Sequence, residues 1–181
     1  MSRKLIMIIA CLWCASLFAG CGYTTRSSVK QEVLNIYVEP FRNEIDFTAE
    51  DNEYRKLRTY FPLLEVDITN NVVDEFISDG NFRISKQDDA DVILQGALLG
   101  YQRDALRHTD DEDVEEYRIN LIVRLVLWNV AKSEPEWEEA GFVGDTTYYT
   151  SGSLAKSEST AVQDAVNDLA KRIVERAADD W

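Results

Sequence analysis

One histidine, three cysteines and a run of carboxylates are the side chains in this 181-residue sequence that offer chemistry. His108 opens the stretch His108-Thr109-Asp110-Asp111-Glu112-Asp113-Val114. A nucleophilic triad needs its histidine held rigidly between an acid and a nucleophile, and so charged a loop is a poor place for that. No serine sits in G-x-S-x-G, and no G-x-x-x-x-G-K-[ST] is present. Asp110 to Asp113 could draw a calcium ion through their carboxylates, but the Gly and distal Glu of an EF-hand loop are missing. Adjacent like charges mark a solvated turn instead. Cys11 and Cys14 have C-x-x-C spacing, yet they lie inside an apolar run at the N-terminus. The reading is a non-enzymatic protein with no catalytic residue and no metal site.

Cys21 stands apart from the other two cysteines. Arg3 and Lys4 precede an uncharged 13-residue run, Leu5 to Leu17, which ends in Phe18-Ala19-Gly20-Cys21. A membrane span needs roughly 20 apolar residues, so residues 1–20 read as a secretory signal peptide. Ala19 and Gly20 before Cys21 resemble a bacterial lipobox, in which the cysteine becomes the first mature residue and carries acyl chains. The pattern departs at Phe18, where Leu, Val or Ile is usual. The alternative is an ordinary signal peptide, with Cys21 a plain thiol. Two or more acyl chains anchor a protein stably, at about 0.8 kcal/mol for each buried methylene. Gly22, which is not Asp, resembles the signal that sends Gram-negative lipoproteins to the outer membrane. Acylation of Cys21 would be the only covalent addition; no cofactor is expected.

Loss of residues 1–20 removes Arg3 and Lys4, leaving 17 basic against 33 acidic side chains and a charge of −16. An acyl-capped Cys21 would then leave no free thiol, which suits an oxidising compartment. So acidic a chain has no basic face for phosphate backbones, which excludes a general nucleic-acid binder.

Residues 21–31 read as a Ser/Thr-rich tether and 32–181 as a single α+β domain. Glu32 to Val38 alternates as a short strand that Pro40 ends. Residues 39–62 form a long charged connection holding Phe41, Phe47, Tyr54, Tyr60 and Phe61. These aromatics either pin the loop to the domain or serve an interface. Leu63 to Ser78 is a helix with Leu64, Ile68, Val72, Val73, Phe76 and Ile77 on one stripe, stopped at Gly80. Strands follow at Phe82–Ser85 and Val92–Leu106, the latter with Gly96 and Gly100 expected on one face. Glu116 to Ala131 alternates most clearly. Tyr117, Ile119, Leu121, Val123, Leu125 and Leu127 point one way; Arg118, Asn120 and Arg124 point the other, with Ile122, Val126 and Trp128. A turn at Lys132–Pro135 precedes a strand over Trp137–Thr150. Ser157 caps a last amphipathic helix that runs to Ala178. The order β-α-β-β-β-β-α predicts two amphipathic helices on one face of a mostly antiparallel, four- to five-stranded sheet.

Beyond these patterns, an ordered set of weak motifs carries a family resemblance. Cys21-Gly22-Tyr23 is followed by Val38-Glu39-Pro40-Phe41-Arg42-Asn43, then Leu64-Glu65, Thr69-Asn70 and Asp74-Glu75-Phe76. Next come Gly80-Asn81-Phe82-Arg83, Asp89-Ala90-Asp91-Val92-Ile93-Leu94-Gln95-Gly96 and Glu116-Tyr117-Arg118, and a closing helix with Asp168-Leu169-Ala170 before Trp181. Together these resemble the LPS-assembly lipoprotein family, LptE. The resemblance implies a plug inside the outer-membrane barrel LptD, assisting insertion of lipopolysaccharide into the outer leaflet. It also implies two basic positions for lipopolysaccharide. Lys156 matches the one near the start of the last helix; Arg107 matches the one near a strand–strand loop less closely, because the loop differs in length. Arg118, Asn120 and Arg124 are the candidates to face the barrel wall, with plain solvent exposure as the alternative. Another envelope or export complex, scaffolded by the same anchored domain, is the competing reading.

Overall fold

The computed structural model describes residues 33–45 and 61–179. The signal segment, the C-x-x-C pair, Cys21, the tether, and Phe47, Tyr54 and Tyr60 lie outside the described residues. The elements are β1 (Leu34–Val38), β2 (Arg42–Asn43), α1 (Leu64–Asp79), β3 (Phe82–Ile84), β4 (Val92–His108), β5 (Val114–Asn129), β6 (Glu134–Tyr149) and α2 (Glu158–Ala178). A short 3-10 turn, Gln87–Asp89, precedes β4.

The period-2 pattern of the three long strands builds an antiparallel meander, β4–β5–β6. Its helix-facing side takes Ile119, Leu121, Val123, Leu125 and Leu127 of β5, all fully buried. Both helices lie over this face, as expected. From α1 come Leu64, Ile68, Val72 and Phe76, at strict four-residue steps. Ile77 falls off that stripe and is 62% exposed. From α2 come Val162, Val166, Leu169, Ile173 and a set of alanines. Phe76 of α1 meets Phe82 of β3 edge to face, with centroids 5.4 Å apart.

The sheet order is β3-β1-β4-β5-β6. β1 runs parallel to both β3 and β4, with α1 in the connection that parallel neighbours require. Pro40 interrupts the first strand without ending its course. The chain returns to β4 two residues later as β2, pairing Arg42 with Ala97 and Asn43 with Leu98. This makes a sixth strand from residues expected to be loop. At the break, Phe41 sends its ring over Gly96, where an added Cβ would stand 2.2 Å from the ring. The Phe41 N–H donates to Thr69 Oγ1 of α1 at 2.9 Å.

Bulges set the faces. Leu98 pairs with Val123 and Gly100 with Ile122, so Leu99 is an extra residue in β4. One extra residue exchanges the faces beyond it. Gly96 therefore faces the helices and Gly100 faces away, not together as the plain alternation suggests. In β6, Gly141 has φ +86° and is the extra residue between Ala140 and Phe142. Pro135 lies within β6 rather than before it, and the strand tolerates it because β6 is at the sheet edge.

That edge is closed by α2. Asp168 Oδ2 accepts from the Asp145 N–H at 3.0 Å, and Arg172 donates to the Val143 carbonyl at 3.0 Å. Groups that would template another strand are thereby occupied. Gly144 makes the approach feasible: a Cβ there would lie 2.4 Å from Leu169 Cβ and 2.6 Å from its Cα. Gly144→Ala is expected to lower unfolding free energy by about 1–3 kcal/mol, the cost of overpacking. Gly100→Ala, whose new Cβ would sit 3.6 Å from Ile122, is expected to be near neutral. Denaturant midpoints of the two variants make the comparison.

Candidate functional site

Candidate residues gather where α2 begins and the β4–β5 hairpin closes. Ser157 caps α2 by accepting from the Thr160 N–H at 3.1 Å, which removes one orphan donor of the first turn. Glu158 follows at once and reaches the sheet. Its Oε1 accepts from the Tyr101 hydroxyl at 2.8 Å, and its Oε2 takes the Arg103 guanidinium. Arg103 lies over the ring of Tyr117, 4.7 Å from the centroid, and Tyr117 stacks on Tyr148 with centroids 5.6 Å apart. Phe61 packs on Tyr101 at 5.4 Å. This latch of tyrosines, arginine and glutamate ties the head of α2 to β4, β5 and β6. It was hidden in the sequence, because unbroken alternation from Leu98 points Arg103 away from the helices. The Leu99 bulge turns it inward. Burial, and then the hydrogen bond to Glu158, push the Tyr101 hydroxyl well above the usual tyrosine range. Tyr148 is raised for the same leading reason, burial, with Glu158 next.

The two basic candidates come to this same end. Arg107 pairs with Glu116 across the β4–β5 ladder, and Glu116 pairs with Tyr149 across β5–β6. The Tyr149 carbonyl then accepts from the Lys156 N–H at 3.1 Å. With strands about 4.8 Å apart, Arg107 and Tyr149 are about 10 Å apart through the backbone. Neither cation is free of a carboxylate. Arg107 Nε is 3.8 Å from Glu116, and the Lys156 ammonium contacts Asp164. The hairpin turns at Thr109–Asp113, where Thr109 N–H donates to the Asp113 carbonyl at 2.8 Å. His108 ends β4 and is exposed. Among the described residues no group of three or more His, Cys, Asp or Glu is placed to hold a metal ion.

The barrel-facing candidates form a row on the sheet face away from the helices. Asn120 donates to Asp104 Oδ2 at 3.1 Å, and Arg124 is bound to Glu44 Oε2 at 2.6 Å. Arg118 is exposed and has no ion partner among the described residues. Toward the far end of the same face, Ile122, Val126 and Trp128 are half-buried.

The family model for LptE, lipopolysaccharide-assembly, matches residues 34–177, from the first residue of β1 almost to the end of α2. The chain belongs to the LptE family. The match takes in every described strand and both helices of this LptE-family domain, with both basic candidates. Solved structures share the fold. A hypothetical protein from Chlamydia trachomatis aligns over 80% of this chain and 95% of its own, at 14% identity and a TM-score of 0.52. A minor lipoprotein from Acinetobacter baumannii aligns over 81% and 94%, at 15% identity and a TM-score of 0.50. The rare lipoprotein B from Shewanella oneidensis aligns over 80% and 94%, at 12% identity and a TM-score of 0.47. No curated protein matches the sequence. The family match makes this an LPS-assembly-type protein, and the solved neighbours show its fold.

The latch has a pH signature. A tyrosine whose folded-state value is raised contributes full stability below its unfolded value, about pH 10, and loses it as pH climbs toward the raised value. Tyr101→Phe removes the hydroxyl bond to a carboxylate and is expected to cost about 1–3 kcal/mol at neutral pH. Its deficit against the parent should shrink above about pH 10, because Phe cannot ionise. Urea unfolding of both proteins between neutral and alkaline pH reads the crossing.

Proposed function

We propose that this chain is an outer-membrane lipoprotein, anchored through acyl chains on Cys21, that sits in the lumen of the barrel LptD and assists insertion of lipopolysaccharide into the outer leaflet. The match of residues 34–177 to the lipopolysaccharide-assembly family carries the reading. The geometry supports a division of labour between two surfaces. The end of the domain near Arg107 and Lys156 offers cations to lipid phosphates. The face carrying Arg118, Asn120 and Arg124 offers polar groups to the barrel wall. Within that face Arg118 is the principal contact, since Asn120 and Arg124 already hold Asp104 and Glu44.

Direct lipopolysaccharide binding works against the charge of the chain, so it must be local. Charges farther apart than the Debye length, about 8 Å at physiological salt, are largely screened. A lipid phosphate at Lys156 therefore feels Lys156 and Asp164 more than the remaining acidic surface.

A C-terminally tagged chain, extracted from outer membranes in mild detergent, is expected to bring down a large β-barrel in equal amount. Arg118→Glu should reduce that recovery. Recovery of other envelope proteins and no barrel would replace the plug with a scaffold of another complex. Cys21→Ser should abolish incorporation of labelled palmitate and release the chain from the membrane fraction; retained label would refute the anchor. Lys156→Glu should weaken binding to purified lipopolysaccharide by about three- to tenfold, the range of one exposed ion pair plus a reversed charge. Unchanged binding removes Lys156 from the site.

A further inference from the structure

The contact between Lys156 and Asp164 suggests how the site selects its ligand. Lys156 lies in the loop before α2 and Asp164 lies two turns into that helix. The base of Lys156 is fixed: its N–H donates to the Tyr149 carbonyl, and Ala155 forms a bridge to Tyr149. The helix head is fixed as well, through Glu158 on Tyr101 and Arg103. The ammonium is therefore held toward Asp164, and both side chains remain within reach of water, at 32% and 42% exposure. An exposed pair of this kind contributes only about 0–1 kcal/mol, so an incoming anion can replace the carboxylate at small cost.

We propose that Asp164 holds, in the ligand-free domain, the place on Lys156 that a lipid phosphate takes, and thereby acts as a specificity-determining residue. This rests on the reading of Lys156 as a lipopolysaccharide contact. A phosphomonoester carries about −1.5 to −2 charges and three acceptor oxygens, against one charge on a carboxylate. It displaces Asp164, whereas an anion of single charge gains little over the contact it breaks. The Arg107–Glu116 pair, on the sheet face away from the helices, is a second cation held by a carboxylate at this end, with a longer contact of 3.8 Å. At this end of the domain, anions are thus admitted by exchange with an internal carboxylate and not by filling an empty basic patch.

The test measures binding of the full chain, purified in detergent, to deep-rough lipopolysaccharide and to its enzymatically dephosphorylated form. Asp164→Asn keeps the shape of the side chain and removes its charge. It is expected to tighten binding of the phosphorylated lipid about three- to fivefold, the worth of a partly exposed pair, and to leave the dephosphorylated lipid unchanged. In a Lys156→Gln background the gain should vanish, since the two residues act on one another. An Asp164→Asn chain that binds the phosphorylated lipid no more tightly, while Lys156→Glu still weakens it, overturns the exchange and leaves the lipopolysaccharide site standing. If Lys156→Glu and Asp164→Asn both leave binding unchanged, the Lys156 site itself fails, and the exchange with it. A gain that persists in the Lys156→Gln background, or extends equally to the dephosphorylated lipid, also overturns the proposal, because it reports general charge relief.

Discussion

At Gly144 the strand β6 has no side chain, and Leu169 of α2 occupies the space a Cβ would need. The helix backbone comes down onto the strand there and nowhere else so closely among the described glycines of β6. That contact sets the height and the register of α2 over the sheet. One residue before it and three after, Asp168 and Arg172 reach the β6 edge and satisfy Asp145 N–H and the Val143 carbonyl. Eleven residues before it, about 16 Å along a helix axis, Glu158 meets Tyr101 and Arg103. Seven residues after it, Arg176 pairs with Glu139 and lies 4.7 Å over the Trp137 ring. The helix is thus pinned in the middle by a missing side chain and at both ends by charge. The loop carrying Lys156 inherits its position from that arrangement.

Much of this was legible in the residues. Alternation over 117–127 placed the buried row of β5 correctly, because a half-buried strand must repeat every second residue. The apolar stripe of α2 placed its buried face, and the β-α-β-β-β-β-α order gave the two-helix, one-face architecture. What escaped had a physical cause in each case. A bulge leaves no compositional mark when its extra residue is an apolar Leu99, yet it exchanges every face beyond it. Gly100 was misplaced for that reason, and the inward turn of Arg103 left no sign. The two residues of β2 are too few to show a period. Ile77 fits a wide stripe, but α1 buries only a narrow row of four-residue steps.

The candidate site was legible unevenly. Lys156 and Arg107 came from family resemblance and not from periodicity, and their common location follows from ladder pairings that no local pattern encodes. Their carboxylate partners also escaped. Asp164 carries no mark of a partner in a helix with acidic residues early in its run, and Glu116 reads only as the start of a strand. Each becomes a partner only once the loop at 150–157 and the hairpin at 109–113 have closed. Glu158, an acidic residue in the first turn where the helix dipole favours one, has its carboxylate at the centre of the latch.

Charge balance links the site to the rest of the molecule. With carboxylates in large excess, a cation on this surface is rarely far from one. Arg42, Arg103, Arg107, Arg124, Lys132, Lys156, Lys171, Arg172 and Arg176 all have a carboxylate oxygen within 4.0 Å. The proposed engagement of an anionic lipid cannot rest on a broad basic field in so acidic a protein, because its own carboxylates neutralise such a field locally. Such a protein can present cations whose partners are weakly held and exchangeable. Multiply bonded pairs such as Arg103 with Glu158 do not meet that condition, since Arg103 is also clamped on Tyr117 and Glu158 also holds the Tyr101 hydroxyl. Lys156 with Asp164 does, because each makes its charge contact from a partly exposed position. The distinction between latch and exchangeable pair follows from the number of bonds on each charge, and within about two helical turns α2 carries both.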